Sequence, residues 1–159
     1  VRQSPATNTP SKFVVHSVAT TAHQVRSINE FIKREIDEHS EFIGFMTLHQ
    51  DLTEEEIEYE VDWCIKNGFK GVKLHPDFQK FYIDEEKVDK FYKIIGDRLP
   101  ILFHIGDDRY DYSQPIRLAN VAKKYPKVNF IAAHFGGLCA GLLLGANSKH
   151  TYSATSQRN

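Results

Sequence analysis

Five short apolar runs recur along this chain at nearly constant spacing. Their midpoints, Val14, Ile43, Val72, Leu102 and Phe130, lie 29, 29, 30 and 28 residues apart. Between them fall stretches with helical periodicity. Strict strand–helix alternation at this period makes right-handed βαβ units and a parallel sheet. Two architectures use that pattern, a doubly wound open sheet and a (β/α)8 barrel. Eight units would need roughly 230–250 residues, whereas a chain of this size holds about five. Length alone therefore favours a five-stranded, doubly wound flavodoxin-like sheet over part of a barrel.

Taken in order, residues 1–12 are polar, carry two prolines and read as a flexible tail. The expected strands are Phe13–Val18, Phe42–Leu48, Phe69–Leu74, the run opened by Pro100 and carrying Ile101, Leu102, Phe103 and Ile105, and Val128–Ala133. Pro100 suits a strand's start because it donates no ladder hydrogen bond. Four helices are expected between the strands. The first runs from about His23 to Glu38, with Thr21 and Gln24 at capping-box spacing and Val25, Ile28, Ile32 and Ile36 as its apolar stripe. The second follows a Thr53/Glu56 capping box, buries Ile57, Val61, Cys64 and Ile65, and stops at Asn67-Gly68. Asp84 is the expected cap of the third, with Val88, Phe91, Tyr92 and Ile95 inward. Ser113 is the expected cap of the fourth, with Pro115 in its first turn and Ile116, Ala119 and Val121 inward.

Polar chemistry gathers where the strands end: His49 and Asp51, then Lys73, His75 and Asp77, then His104, Asp107 and Arg109, then His134. Both candidate architectures place their sites along that edge. Lys73 and His75 are two apart and share a face of their strand. In a barrel the neighbouring exits would converge, so His104 and His134 should meet at one mouth, whereas an open sheet would not bring them around anything. Several imidazoles with lysine and carboxylates nearby read as a metal site. No glycine-rich phosphate loop follows the first strand, and there is no G-x-S-x-G elbow. A net charge of −1 gives no footprint for nucleic acid. The longest apolar run, Leu138 to Ala146, is about half a bilayer span. Two cysteines without metal-type spacing fit a reducing compartment.

Three segments carry a family resemblance: Gly68-Phe-Lys-Gly-Val-Lys-Leu-His-Pro-Asp77, Pro100-Ile-Leu-Phe-His-Ile-Gly106 and Ile131-Ala-Ala-His-Phe-Gly-Gly137. Together they resemble successive strand-end motifs of the amidohydrolase superfamily, in its amidohydrolase-related branch of metal-dependent TIM-barrel hydrolases and decarboxylases. The similarity spans about Phe13 to Gly137 and overrides the length argument. It implies a partial (β/α)8 barrel over residues 13–137, from about the second to the sixth strand, followed by a divergent, disordered tail over 138–159. Carried over by position, His104 corresponds to the fifth-strand metal ligand and His134 to the sixth-strand histidine, a second ligand in binuclear members. Lys73 falls where those members use a carboxylated lysine. Asp107 stands on the substrate side with His75, Asp77 and Arg109, and is taken with His134 as the catalytic pair.

The chain departs from the pattern in two places. No first-strand His-x-His occurs, and no aspartate at the end of an eighth strand. The resemblance implies a cytoplasmic, metal-dependent hydrolase of a small amide, lactone or carboxylate, acting through a metal-activated water with zinc, or else manganese. Decarboxylation on the same scaffold and a non-catalytic barrel fragment are the alternatives. The expected partners are a small-molecule substrate and a second copy in a homo-oligomer, with no nucleic acid and no membrane. The 159-residue chain alone is expected to be incomplete and inactive.

Overall fold

The computed structural model describes residues 11–107 and 109–134. The expected carboxy-terminal tail, most of the amino-terminal one, Cys139 and the Leu138–Ala146 run lie outside them. The order is β1 (Phe13–Val15), α1 (Gln24–Glu38), β2 (Phe42–Thr47), α2 (Glu54–Lys66), β3 (Gly71–Leu74), α3 (Pro76–Gln79), α4 (Asp89–Ile95), β4 (Ile101–Phe103), α5 (Pro115–Lys124) and β5 (Phe130–Ala132). A single 3-10 turn at Glu86–Val88 precedes α4.

All four neighbouring pairs of strands are parallel, and the spatial order is β1-β2-β3-β4-β5. This order decides between the two expected architectures. A doubly wound sheet reverses direction at a switch point, whereas here every crossover steps one strand the same way. Right-handed crossovers in one direction put every helix on the same side of the sheet, as in a barrel wall. The flavodoxin-like alternative is thereby excluded, and the sheet is an open part of a (β/α)8 barrel.

Register assigns the two faces. Val72, Ile101 and Phe130 are partnered in one row, and Leu74, Phe103 and Ala132 form a further row on the same face. All six are buried, in a core shared with Val25 and Ile32 of α1, Ile57 and Val61 of α2, Phe91 and Ile95 of α4, and Leu118 and Val121 of α5. The opposite face carries Thr47, Lys73, Leu102 and Ile131 side by side. Leu102 and Ile131 are only half-buried. The run around Leu102 is therefore not covered on both sides, because its inner face looks into the open side of the barrel. Lower on that face the ring of Phe45 occupies the space a side chain at Gly71 would need, 2.5 Å from an ideal Cβ.

The ends of the elements follow local chemistry with some exceptions. Thr53 and Glu56 form the expected capping box, hydroxyl to backbone and carboxylate back to backbone, which contributes about 1 kcal/mol. At α1 the box is only half made: the Gln24 amide oxygen accepts from the backbone N–H of Thr20 and Thr21, but the hydroxyl bonded to it belongs to Thr20. Asp84 caps nothing, since its carboxylate accepts from Arg117 and Asn120 instead. Ser113 is not the cap of α5 either. That position is Gln114, without a side-chain bond, while Ser113 is turned inward and fully buried. Ile65 and Ile116 are exposed, and Leu118 takes the inward place beside Val121. The short α3 was not expected; Pro76 at its first turn and the His75 ring, which accepts from the Phe78 N–H, start it.

Candidate functional site

The site is built on the turns that follow β3, β4 and β5. His75 leaves β3 directly into α3, where Gln79 folds back over it. The Gln79 side chain is fully used: Oε1 accepts from His75 N–H at 2.9 Å, while Nε2 donates to Ala19 O at 2.9 Å and Leu48 O at 2.7 Å. One buried amide thus fixes the exit of β3 to the chain beyond β1 and β2. Gln50 Nε2 in turn donates to the Gln79 carbonyl.

Aromatic stacking sets the imidazoles. The His75 ring lies parallel to Phe78 on one side and to His104 on the other, with both centroid separations 3.9 Å. His134 meets His104 edge-on at 4.7 Å, and its Nε2 lies 3.1 Å from His104 Nδ1. The expectation that His104 and His134 share one mouth is therefore met. His134 holds a left-handed backbone at φ 55, a costly conformation for a residue with a side chain. It turns the chain at the end of β5 towards its neighbour.

The acids complete the mouth. Asp107 is gripped by Arg109, whose Nε and Nη2 donate to its two oxygens at 3.0 and 2.8 Å. These bonds hold the Asp107 carboxyl below the usual carboxylate range, which makes it a poor proton acceptor. Asp77 has a fully buried side chain, and among the described residues neither of its oxygens completes a hydrogen bond. Burial pushes its carboxyl up, and nearby Ser113 acts against that. Donor atoms of Asp77, His104 and Asp107 all lie within 4.8 Å of one another. One imidazole and two carboxylates suit manganese or zinc, and the unpaired Asp77 oxygens give a cation something to satisfy, so these residues fit a divalent metal.

Burial lowers the pKa of two imidazoles and the lysine of the mouth. His104 is pushed down to about 4 by burial, by His134 and by Lys73. His75 falls to about 3, through burial first and then through His104 and Lys73. Lys73 is buried on the inner face and lowered to about 8 by that burial. His16, an exposed residue just past β1, was not singled out in the sequence, yet partial desolvation and then Lys73 both lower it. Position alone could have found it, since it stands two residues beyond Val14 on the inner face. His49 and Asp51, by contrast, stand apart from this group. His49 Nδ1 accepts from Asp51 N–H, and Asp51 pairs with Lys87 at 2.7 Å.

Among the described residues no helix is long and apolar enough to cross a membrane. Curated proteins give no significant match. The family model for amidohydrolases matches residues 7–153. Among solved structures, the 5-carboxyvanillate decarboxylase of Novosphingobium aromaticivorans, solved with manganese and 3-methoxy-4-hydroxy-5-nitrobenzoic acid bound, superposes with a TM-score of 0.60 at 18% identity. The match covers 72% of this chain and 40% of that one. The Sphingomonas paucimobilis 5-carboxyvanillate decarboxylase gives 0.55 at 13% identity over 72% of this chain and 42% of that one. The IDCase of Metarhizium anisopliae gives 0.54 at 18%, over 72% and 39%. The chain thus spans about two fifths of the length of these structures. The open, sequentially ordered sheet, the histidines at its strand exits and the family match agree: the chain belongs to the amidohydrolase family.

Proposed function

We propose that this chain supplies one side of the active site of a metal-dependent hydrolase acting on a small amide, lactone or carboxylate. The convergence of His104, His134, His75, Asp77 and Asp107 at one mouth carries the reading. His104 is the anchoring ligand, with His134 and Lys73 as the other metal-side groups. A divalent cation, zinc or manganese, supplies an acidified water and a polarised carbonyl when bound. Arg109 keeps Asp107 ionised and weakly basic, so within the proposed catalytic pair the proton-accepting role is assigned to His134. His75 and Arg109 line the substrate side with Asp77. Without carboxylation Lys73 is instead an ammonium buried on the inner face, which favours a substrate that carries a carboxylate. Cys64, buried and free, accords with a reducing compartment such as the cytoplasm.

Decarboxylation is the second reading. Weak basicity at Asp107 and the buried Lys73 cation favour it, and two of the superposed structures are 5-carboxyvanillate decarboxylases. The sequence has no His-x-His and no eighth-strand aspartate, so turnover is proposed only when a segment carrying those groups is present. The purified chain, loaded with zinc or manganese, would be assayed against amides, lactones and aromatic acids, with and without such a segment, beside a His104→Ala control. Metal retained by the chain and lost in His104→Ala is expected, with turnover only in the complemented protein. A chain that binds no metal, or turnover that survives His104→Ala, would overturn the reading.

A further inference from the structure

Asp77 poses a problem that the rest of the site does not solve. Its side chain is fully buried, yet among the described residues neither carboxylate oxygen has a hydrogen-bond partner. Leaving such a group unsatisfied costs a buried carboxylate far more than it costs a surface one. The nearest imidazole nitrogen, His75 Nδ1, lies 3.7 Å from Asp77 Oδ2. That nitrogen already accepts from the Phe78 N–H, so it carries a lone pair and no proton to offer. Arg109, whose charge also acts on Asp77, is spent on Asp107. What remains beside Asp77 is the Ser113 hydroxyl, which acts on its carboxyl without completing a hydrogen bond to it, and one histidine nitrogen and a second carboxylate, whose donor atoms all lie within 4.8 Å of its own.

We propose that Asp77, His104 and Asp107 form the cation site of this chain, with Asp77 a ligand rather than a substrate contact. The proposal rests on the reading that His104 binds a divalent metal, and it changes the partners of that histidine. The two acids come from the turns after β3 and β4, so the site is made entirely within two adjacent βα units. It needs neither Lys73 nor His134. Two carboxylates and one imidazole are a hard donor set that manganese accepts as readily as zinc. Arg109 is then a competitor, because it neutralises the same Asp107 carboxylate that the cation would share. As an exposed side chain on a turn, it can leave without disturbing the core.

The test is a manganese titration of the purified chain, following the electron-paramagnetic signal of free ion, with cobalt absorption as a second readout. Expected is one saturable ion per chain, with Asp77→Asn and Asp107→Asn each weakening binding at least tenfold. Lys73→Met and His134→Ala should change it by less than threefold, and Arg109→Gln should tighten it. The Arg109 variant keeps the test sound should Asp77→Asn fail to fold, since it alters only an exposed side chain. Binding that survives both Asp variants but is lost in Lys73→Met and His134→Ala would overturn this ligand set and leave the hydrolase reading standing. An Arg109→Gln affinity equal to or weaker than wild type would also overturn it. No saturable ion in the wild-type chain would remove both.

Discussion

His134 Nε2 and His104 Nδ1 face each other at 3.1 Å across the exits of β5 and β4, ring edge against ring face. Burial first, and then His134 and Lys73, oppose a positive charge on His104.

That crowding makes the fold acid-sensitive. His104 and His75 have native pKa values of about 4 and about 3, below the unfolded value of 6.5. The unfolded chain therefore binds more protons between those limits, and stability rises with pH across the window. Stability should be full above pH 6.5 and should fall progressively as pH drops towards 4 and then 3. Urea midpoints measured at steps from pH 7 to pH 4 should decline, and the slope should flatten in His104→Gln. A midpoint independent of pH would contradict this.

Lys73 titrates over a different range. Its native pKa of about 8 lies below the ordinary 10.5, so its burial is paid for in the charged form at neutral pH. Lys73→Met should raise stability by about 2 kcal/mol at pH 7. The gap should shrink between pH 8 and 10.5, where the native lysine is already neutral and the unfolded one is not. Denaturation of both proteins at pH 7 and pH 10 would measure it.

Gly71 leaves room for the Phe45 ring. A Cβ there would come within 2.5 Å of that ring, and Gly71→Val should cost about 2–3 kcal/mol through overpacking. A thermal midpoint that fails to drop would mean that the ring swings aside.

Asn29, fully buried in α1, accepts from Thr47 N–H at 2.9 Å and donates to Thr47 O and Glu60 Oε2, both at 3.2 Å. Asn29→Leu keeps the volume but strands all three partners, an expected loss of about 2–4 kcal/mol. Asn29→Asp should recover the bond from Thr47 N–H alone, and the two variants should separate in guanidinium midpoints.

The outer strand should associate. Phe13 and Val14 of β1 are about half exposed, and an apolar edge of this kind templates pairing with another chain. Sedimentation velocity is expected to show concentration-dependent oligomers, reduced in Val14→Lys. A monodisperse monomer at all concentrations would count against the proposed homo-oligomer.

The sheet was legible because a strand–helix period survives in any one unit, and because the histidines stand at the same phase of each repeat. His104, His134, His75 and Asp77 all follow from that phase. What the sequence hid are bonds whose partners lie far along the chain. Gln79 reaches Ala19, 60 residues away, and Asn29 reaches Glu60, 31 residues away. Local rules also misplaced Asp84 and Ser113. Both have cap chemistry, but Arg117 and Asn120 claim the first and the mouth claims the second. Ile65 and Ile116 sit at the margins of their helical stripes, where a shift of a few tens of degrees exposes a side chain. The strand order is invisible in the sequence: the period is the same for an open doubly wound sheet and for a barrel wall.

Because a single amide at Gln79 bonds to Ala19, Leu48 and His75, the ends of three strands are tied together through one side chain. They open as one unit, and their amides should exchange with solvent at a common rate. A ligand that settles on His75 should therefore be felt beyond β1 with no hinge, domain closure or change of fold, carried by the one amide of Gln79.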